Sequence, residues 1–316
     1  MKTGWRRLLA VLVVMLGTTS LQAAPTVVVL PSDDAPVYRE FIEALRARPE
    51  MAAFDLRILE PEPPPGDLTR AMERAMVLLP VGTRALHRLL GQAPQRPVLA
   101  AMVSSGAYRS HLQRHESARR LLEQGSFSAL FLEQPLSRTV ALARLVRPQA
   151  RHLGVVLGPA STDRIADLTE EAGRFGFVLE LAVLAEEDNP AARIDAVMKR
   201  SEIYLALPDR SVFNRSTARW VLYASLRSRI PVVGFSARYV EAGAVASVHS
   251  SPTDQAADTA EWLAQWHSAG GVLGPPRLPR HYTLSLNRRA AATLGLELPR
   301  REELRHRLEK LVRSGP

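Results

Sequence analysis

Thr26-Val27-Val28-Val29-Leu30, ended by Pro31-Ser32-Asp33-Asp34 and followed by Phe41, Ile42 and Leu45 at helical spacing, sets the pattern of the whole chain. A continuous apolar run rich in β-branched residues predicts a strand buried on both faces, and the spaced apolar residues after the turn predict an amphipathic helix. The unit returns at Ala75 to Val81, followed by Gly82-Thr83 and a helix over Arg84 to Leu90, and again at Pro97 to Val103, followed by Ser104-Ser105-Gly106. In the second half, Leu153 to Leu157 leads into Gly158-Pro159-Ala160-Ser161-Thr162, Ile203 to Leu207 into Pro208-Asp209-Arg210, and Pro231 to Phe235 into Ser236. Such strands, joined by helices, build parallel sheets with right-handed crossovers.

Two interruptions divide the pattern. Gly125 to Pro135 holds a strand-like Ala129-Leu130-Phe131-Leu132 that runs straight into a helix over Leu136 to Val146 and has no obvious place in the first sheet. His249 to Pro252 ends a strand and opens a helix over Asp254 to Trp266. Read as connections between two sheets, they predict an α/β fold of two doubly wound parallel-sheet lobes joined by hinge crossovers. The C-terminal ends of both sheets then face one cleft. Lobe 1 is expected over 24–131 with 252–280 returning to it, and lobe 2 over 132–251. Part of 281–316 closes the hinge, with a last strand over Tyr282 to Leu286 and a tail helix over Glu302 to Val312. Pro61 to Pro65 and Gly270 to Pro279 read as loops.

Composition narrows the function classes. At 316 residues with 46% hydrophobic and 23% charged residues, the chain has the makings of two globular domains and not of a disordered or coiled-coil protein. The absence of cysteine excludes disulfides, a thiolate nucleophile, Cys-ligated zinc and iron–sulfur clusters. Lys2, Arg6 and Arg7 precede the apolar run Leu8 to Leu16, and Gly17 to Ala24 turns small and polar. That is the form of a secretory signal peptide over 1–23, cleaved after Ala23, and it places the mature chain in the periplasm. Its removal takes three positive charges from the formal +9 and leaves +6. The remaining arginines are dispersed over helical segments such as Arg215 to Arg229 and Arg300 to Arg313, so they read as solvated faces rather than a nucleic-acid footprint.

No catalytic constellation emerges. His111 and His115 stand four apart with Glu116 beside them, a spacing used by metal sites, yet no motif places a third ligand and Arg109, Arg114, Arg119 and Arg120 crowd the segment. They read as a solvated helix face. There is no Gly-x-Ser-x-Gly elbow and no Gly-x-Gly-x-x-Gly fingerprint. Asp209, at the end of a parallel strand, is apt either as a general base or as a holder of a ligand ammonium, and without a partner group binding is the favoured reading.

The second half resembles a known family. Glu133-Gln134-Pro135-Leu136-Ser137-Arg138, Arg147 to Pro159, Leu205-Ala206-Leu207-Pro208-Asp209, Ile230 to Ser236, Tyr239 to Ala244, Leu284 to Arg288 and Leu294 to Pro299 follow the order of motifs in the ABC transporter substrate-binding protein family of the type I periplasmic-binding fold, in the branch with tryptophan- and tyrosine-binding members. The resemblance covers roughly 125–300 well and the first lobe in outline. It implies a monomeric receptor that closes on a small-molecule solute and delivers it to an inner-membrane ABC permease, without catalysis, cofactor, metal or nucleic acid. The alternative is a ligand-sensing module of the same fold that serves a membrane signalling partner. In the family the aspartate is commonly followed by asparagine; here Arg210 follows Asp209, and an inward arginine favours an anionic solute.

The ligand site is expected at the strand ends, where helix N-termini gather. Ser32, Asp33, Asp34, Thr83, Ser104 and Ser105 are the candidates of lobe 1. Ser161, Asp209, Arg210 and Phe235 are those of lobe 2, and Glu133, Gln134 and Ser251 stand near the crossovers. Each polar member has a local alternative as a helix cap, and Phe235 has one in the core.

Overall fold

The first strand, β1 (Thr26–Pro31), sends Val27 and Val29 into one apolar cluster and Val28 and Leu30 into another, so both faces of its sheet are covered. That is the period-two division of a strand buried on both sides. The computed structural model describes residues 24–185 and 187–315; the expected signal peptide lies outside the described residues. After β1 come α1 (Pro36–Arg46), β2 (Asp55–Ile58), α2 (Pro65–Arg74), β3 (Val77–Val81), α3 (Thr83–Gly91), β4 (Val98–Val103), α4 (Ser105–Arg114), α5 (Glu116–Glu123) and β5 (Phe127–Phe131). The five strands form a parallel sheet in the order β2-β1-β3-β4-β5.

The chain then runs through α6 (Leu136–Val146), β6 (His152–Leu157), a 3-10 turn (Pro159–Arg164), α7 (Ile165–Arg174), β7 (Val178–Val183), α8 (Pro190–Met198), β8 (Ile203–Leu205), α9 (Arg215–Ser228), β9 (Val232–Gly234), α10 (Ala237–Glu241) and β10 (Ala246–His249). It closes with α11 (Pro252–Ser268), β11 (Thr283–Leu286), α12 (Arg288–Thr293) and α13 (Arg301–Ser314). The second sheet has the order β11-β10-β9-β8-β6-β7, parallel except for β11, which runs antiparallel to β10 at the edge. The two-lobe α/β architecture expected from the repeated strand–helix units is present.

The connecting helices do not stay with the sheet they follow. The apolar face of α6 enters the core of the second sheet, as do Leu304 and Leu308 of α13. Ala256, Ala260, Trp262, Leu263 and Trp266 of α11 enter the core of the first. Among the described residues the chain passes between the sheets at three places, and lateral bonds tie them. Gln134 Nε2 donates to Ser250 Oγ at 2.7 Å, Gln255 Nε2 to the Phe131 carbonyl at 2.9 Å, and Arg277 N–H to the Ala129 carbonyl at 2.9 Å. The guanidinium of Arg138 lies 4.3 Å above the Tyr282 ring and bonds the Pro279 carbonyl at 3.2 Å.

Three expectations are corrected. Ala129 to Leu132 does have a place in the first sheet, because β5 pairs along β4 as its edge strand and is covered by α5 and α11. The last strand departs from the parallel rule: between β10 and β11 the chain leaves for the first sheet, where α11 packs, and on its return β11 lies antiparallel to β10 at the edge. The solvated face expected at His111 and His115 holds only in part: His115 is partly exposed, but α4 packs toward α3, which leaves His111 only 5% exposed.

Candidate functional site

The loops after β1, β3 and β4 carry the polar residues expected to line lobe 1, and most are occupied by backbone. Ser32 Oγ accepts from the Ala85 N–H at 3.0 Å and so caps α3 from the neighbouring loop. Gly82, at φ +89°, makes that approach possible, since a Cβ there would stand 2.6 Å from both Ser32 Oγ and Tyr38 Oη. Asp33 accepts from the Ala35 N–H at 2.8 Å and pairs with Arg84, while Asp34 and Thr83 are exposed. Ser104 caps α4 through the Ala107 N–H at 3.1 Å. Ser251 caps α11 in a reciprocal box with Asp254, at 3.1 and 2.9 Å.

Ser105 and Glu133 meet. The N–H and Oγ of Ser105 both donate to Glu133 Oε1 at 2.9 Å, so the carboxylate at the exit of β5 sits on the N-terminus of α4. Gln134, 6% exposed, spans to Ser250 at the second crossover.

In lobe 2, Asp209 binds the loop after β6 to the loop after β8. Its Oδ2 accepts from the Gly158 N–H at 3.0 Å and Ser161 Oγ at 2.5 Å, and its Oδ1 from the N–H and Oγ of Ser211 at 2.9 and 2.5 Å. Burial alone raises its pKa; the four hydrogen bonds outweigh that and hold it below the usual aspartate value. A carboxylate offers about four lone-pair sites, and all are taken from within the protein. Gly158 has no Cβ because one would stand 2.8 Å from both carboxylate oxygens. Arg210 is exposed, and the basic group in the cleft is a different one.

That group is Arg164. Leu132, Glu133 and Gln134 from the exit of β5, Thr139 of α6, Arg164 at the end of the 3-10 turn, Leu207 and Pro208 after β8, Phe235 after β9 and Val248 of β10 line a narrow cleft of about 20 Å³ between the sheets. Burial pulls the pKa of Arg164 down from the usual guanidinium value, against the opposing pull of Glu133, Asp163 and Asp167. No described residue gives it a hydrogen bond or a carboxylate within 4 Å. A half-buried guanidinium with five unused donors is a ready receptor for an oxyanion. Phe235 forms the apolar wall, stacked on Tyr239 at 5.4 Å and packed against Phe213 at 5.7 Å. At the mouth, Arg109 of α4 and Asp163 of the 3-10 turn pair at 3.0 Å from opposite lobes.

Of the residues singled out from sequence, the structure brings Glu133, Gln134 and Phe235 together in the cleft and sets Ser161 and Asp209 behind its lobe 2 wall. Ser32, Ser104 and Ser251 cap helices. Sequence reasoning missed Arg164. The available signal was a cation between two carboxylates, Asp163 and Asp167, directly after the turn Gly158 to Thr162.

No family model matches the chain, and no curated protein matches it. Solved structures do. A conserved domain protein of Vibrio cholerae O1 biovar El Tor aligns over 90% of this chain and 98% of its own at 21% identity, with a TM-score of 0.57. An ABC domain of Streptococcus pneumoniae in complex with L-Trp aligns over 89% and 98% at 15% identity, TM-score 0.56. The ligand-free, open structure of a substrate-binding protein with adhesive properties from Clostridium difficile aligns over 88% and 97% at 14% identity, TM-score 0.65. At these identities the likeness is one of fold, and it is the type I two-lobe fold that the sequence resemblance implies.

Proposed function

We propose that this protein is the solute-binding component of an ABC-type importer, and that it takes a small carboxylate-bearing solute between its lobes without transforming it. The observation that carries the reading is Arg164, an unpaired guanidinium in an interlobe cleft, facing Glu133 with Phe235 as the apolar wall. Arg164 meets the solute carboxylate with paired N–H donors. Glu133 Oε2, bonded only by the Ser105 N–H at 3.1 Å, retains acceptor capacity for an ammonium, so the three walls match an amino acid or a related acid with an apolar side chain in chemistry, and the lobes must part to admit it, since the cleft as it stands holds about 20 Å³. Structures of like fold, an ABC domain in complex with L-Trp and a substrate-binding protein, support a receptor over an enzyme. Asp209 supports the lobe 2 loops rather than touching the solute.

The test is a thermal-shift panel of amino acids, peptides and organic acids on the mature chain, followed by calorimetry. A solute present at a hundredfold excess over Kd raises stability by about 2.7 kcal/mol. Arg164→Gln is expected to lower affinity for the identified solute at least tenfold while the unliganded Tm stays near that of the parent, because a charge-assisted bond is worth about 1.5–3 kcal/mol. Binding that survives Arg164→Gln unchanged overturns the site. N-terminal sequencing of the periplasmic fraction is expected to begin at Ala24, consistent with a signal peptide over 1–23.

A further inference from the structure

Outside the cleft, three histidines converge on the surface of lobe 1. His87 of α3, His111 of α4 and His115 just beyond it each place a ring nitrogen within 4.8 Å of the other two. Their ring centroids are 5.3 to 5.5 Å apart in all three pairs. His111 and His115 stand one turn apart and share a helix side, and the packing of α3 on α4 brings in His87 from 24 positions upstream of His111.

We propose that His87, His111 and His115 form a binding site for one divalent late transition metal ion, zinc above all. Imidazole nitrogens are the ligands such ions prefer, and three of them with a fourth position left to water make an open tetrahedral site. The distances suit this. Zn–N bonds of about 2.0–2.1 Å set tetrahedral nitrogens about 3.3 Å apart, and His115 Nε2 lies 3.3 Å from His87 Nδ1.

A second, independent observation points to a ligand. His111 is 5% exposed, and its Nδ1 has no hydrogen-bond partner. A buried polar nitrogen left without a partner costs stability unless something binds it. His87 is exposed, so an ion reaches the site directly from solvent. The other convergence of such side chains, Asp258, Glu261 and His281, offers less: Asp258 is taken by the N–H groups of Arg280 and His281, and Glu261 by His281 Nε2 at 2.7 Å.

The experiment is titration of the chelator-stripped mature chain with zinc chloride in competition with a chromophoric zinc indicator, repeated with cobalt(II) for its ligand-field spectrum. Wild type is expected to bind one zinc, to give the intense visible bands of four-coordinate cobalt, and to ignore magnesium. His87→Ala and His115→Ala, chosen because both positions are at least partly open to solvent, are each expected to weaken zinc binding at least tenfold while leaving the metal-free Tm and circular dichroism unchanged. His281→Ala is expected to leave the affinity as it is. Zinc affinity equal in wild type and His87→Ala, affinity lost in His281→Ala, or a weak octahedral cobalt spectrum overturns the assignment.

Discussion

At the scale of single residues, Asp209 and Arg164 are opposites. Asp209 has every acceptor filled, so it contributes to the fold what a free carboxylate in the cleft would contribute to binding. Its pKa is depressed in the folded state, so its contribution is present above the pKa of an unfolded aspartate, about 3.9, and is lost as pH falls through the lower folded value. Asp209→Asn is therefore expected to lower stability by about 1–3 kcal/mol at pH 7, and the deficit is expected to shrink steadily as melting curves are recorded from pH 5 down to pH 2. A deficit that stayed constant through that range would remove the ionised carboxylate from the explanation. Asp209 was legible in the sequence because it ends an apolar strand. Its saturation was not, because Gly158, Ser161 and Ser211 come from two loops that only the sheet order β8-β6 brings together. His87 and Arg164 stayed hidden for the same reason: each gains its role from a neighbour far away in sequence.

At the scale of elements, the strands most legible in the sequence are the central ones, where apolar side chains go to both faces and the run is unbroken. Two of the four edge strands, β2 and β7, escaped. Asp55–Ile58 is only partly covered, and that at alternate positions, and Val178–Val183 is exposed at both ends, so neither leaves a continuous apolar run. Helix starts were legible as Ser, Thr and Asp after strands, but not which helix each serves, as Ser32 capping α3 from the loop before α1 illustrates. That cap depends on the missing side chain at position 82. Gly82→Ala must accept a φ of +89° and push Ser32 and Tyr38 aside, so it is expected to cost about 1–3 kcal/mol. Ser32→Ala, which loses only the cap, is expected to cost about 1 kcal/mol. Denaturant midpoints of the two variants test the order; a Gly82→Ala chain no less stable than Ser32→Ala would show that the loop yields without strain.

At the scale of the molecule, the described residues link the two sheets by three crossings and by an ion pair at the mouth. The crossings are held by buried bonds such as Gln134 to Ser250, whereas Arg109 and Asp163 are about half exposed, 45% and 49%, so opening the mouth breaks the weaker connection. An exposed pair of this kind is worth about 0–1 kcal/mol and is screened by salt. It biases the population of the closed form without deciding it, and apparent affinity scales with that population. Asp163→Asn is therefore expected to weaken solute binding no more than about fivefold, with the difference from wild type fading between 50 mM and 500 mM salt, and to raise the radius of gyration of the solute-free chain in X-ray scattering. The bond that Arg164 offers lies inside the cleft, where ions reach it less, so the loss from Arg164→Gln is expected to exceed that from Asp163→Asn and to depend less on salt. Equal losses and equal salt dependence in the two variants would mean that Arg164 gives the solute no more than the exposed pair at the mouth does, and that no specific carboxylate contact is made.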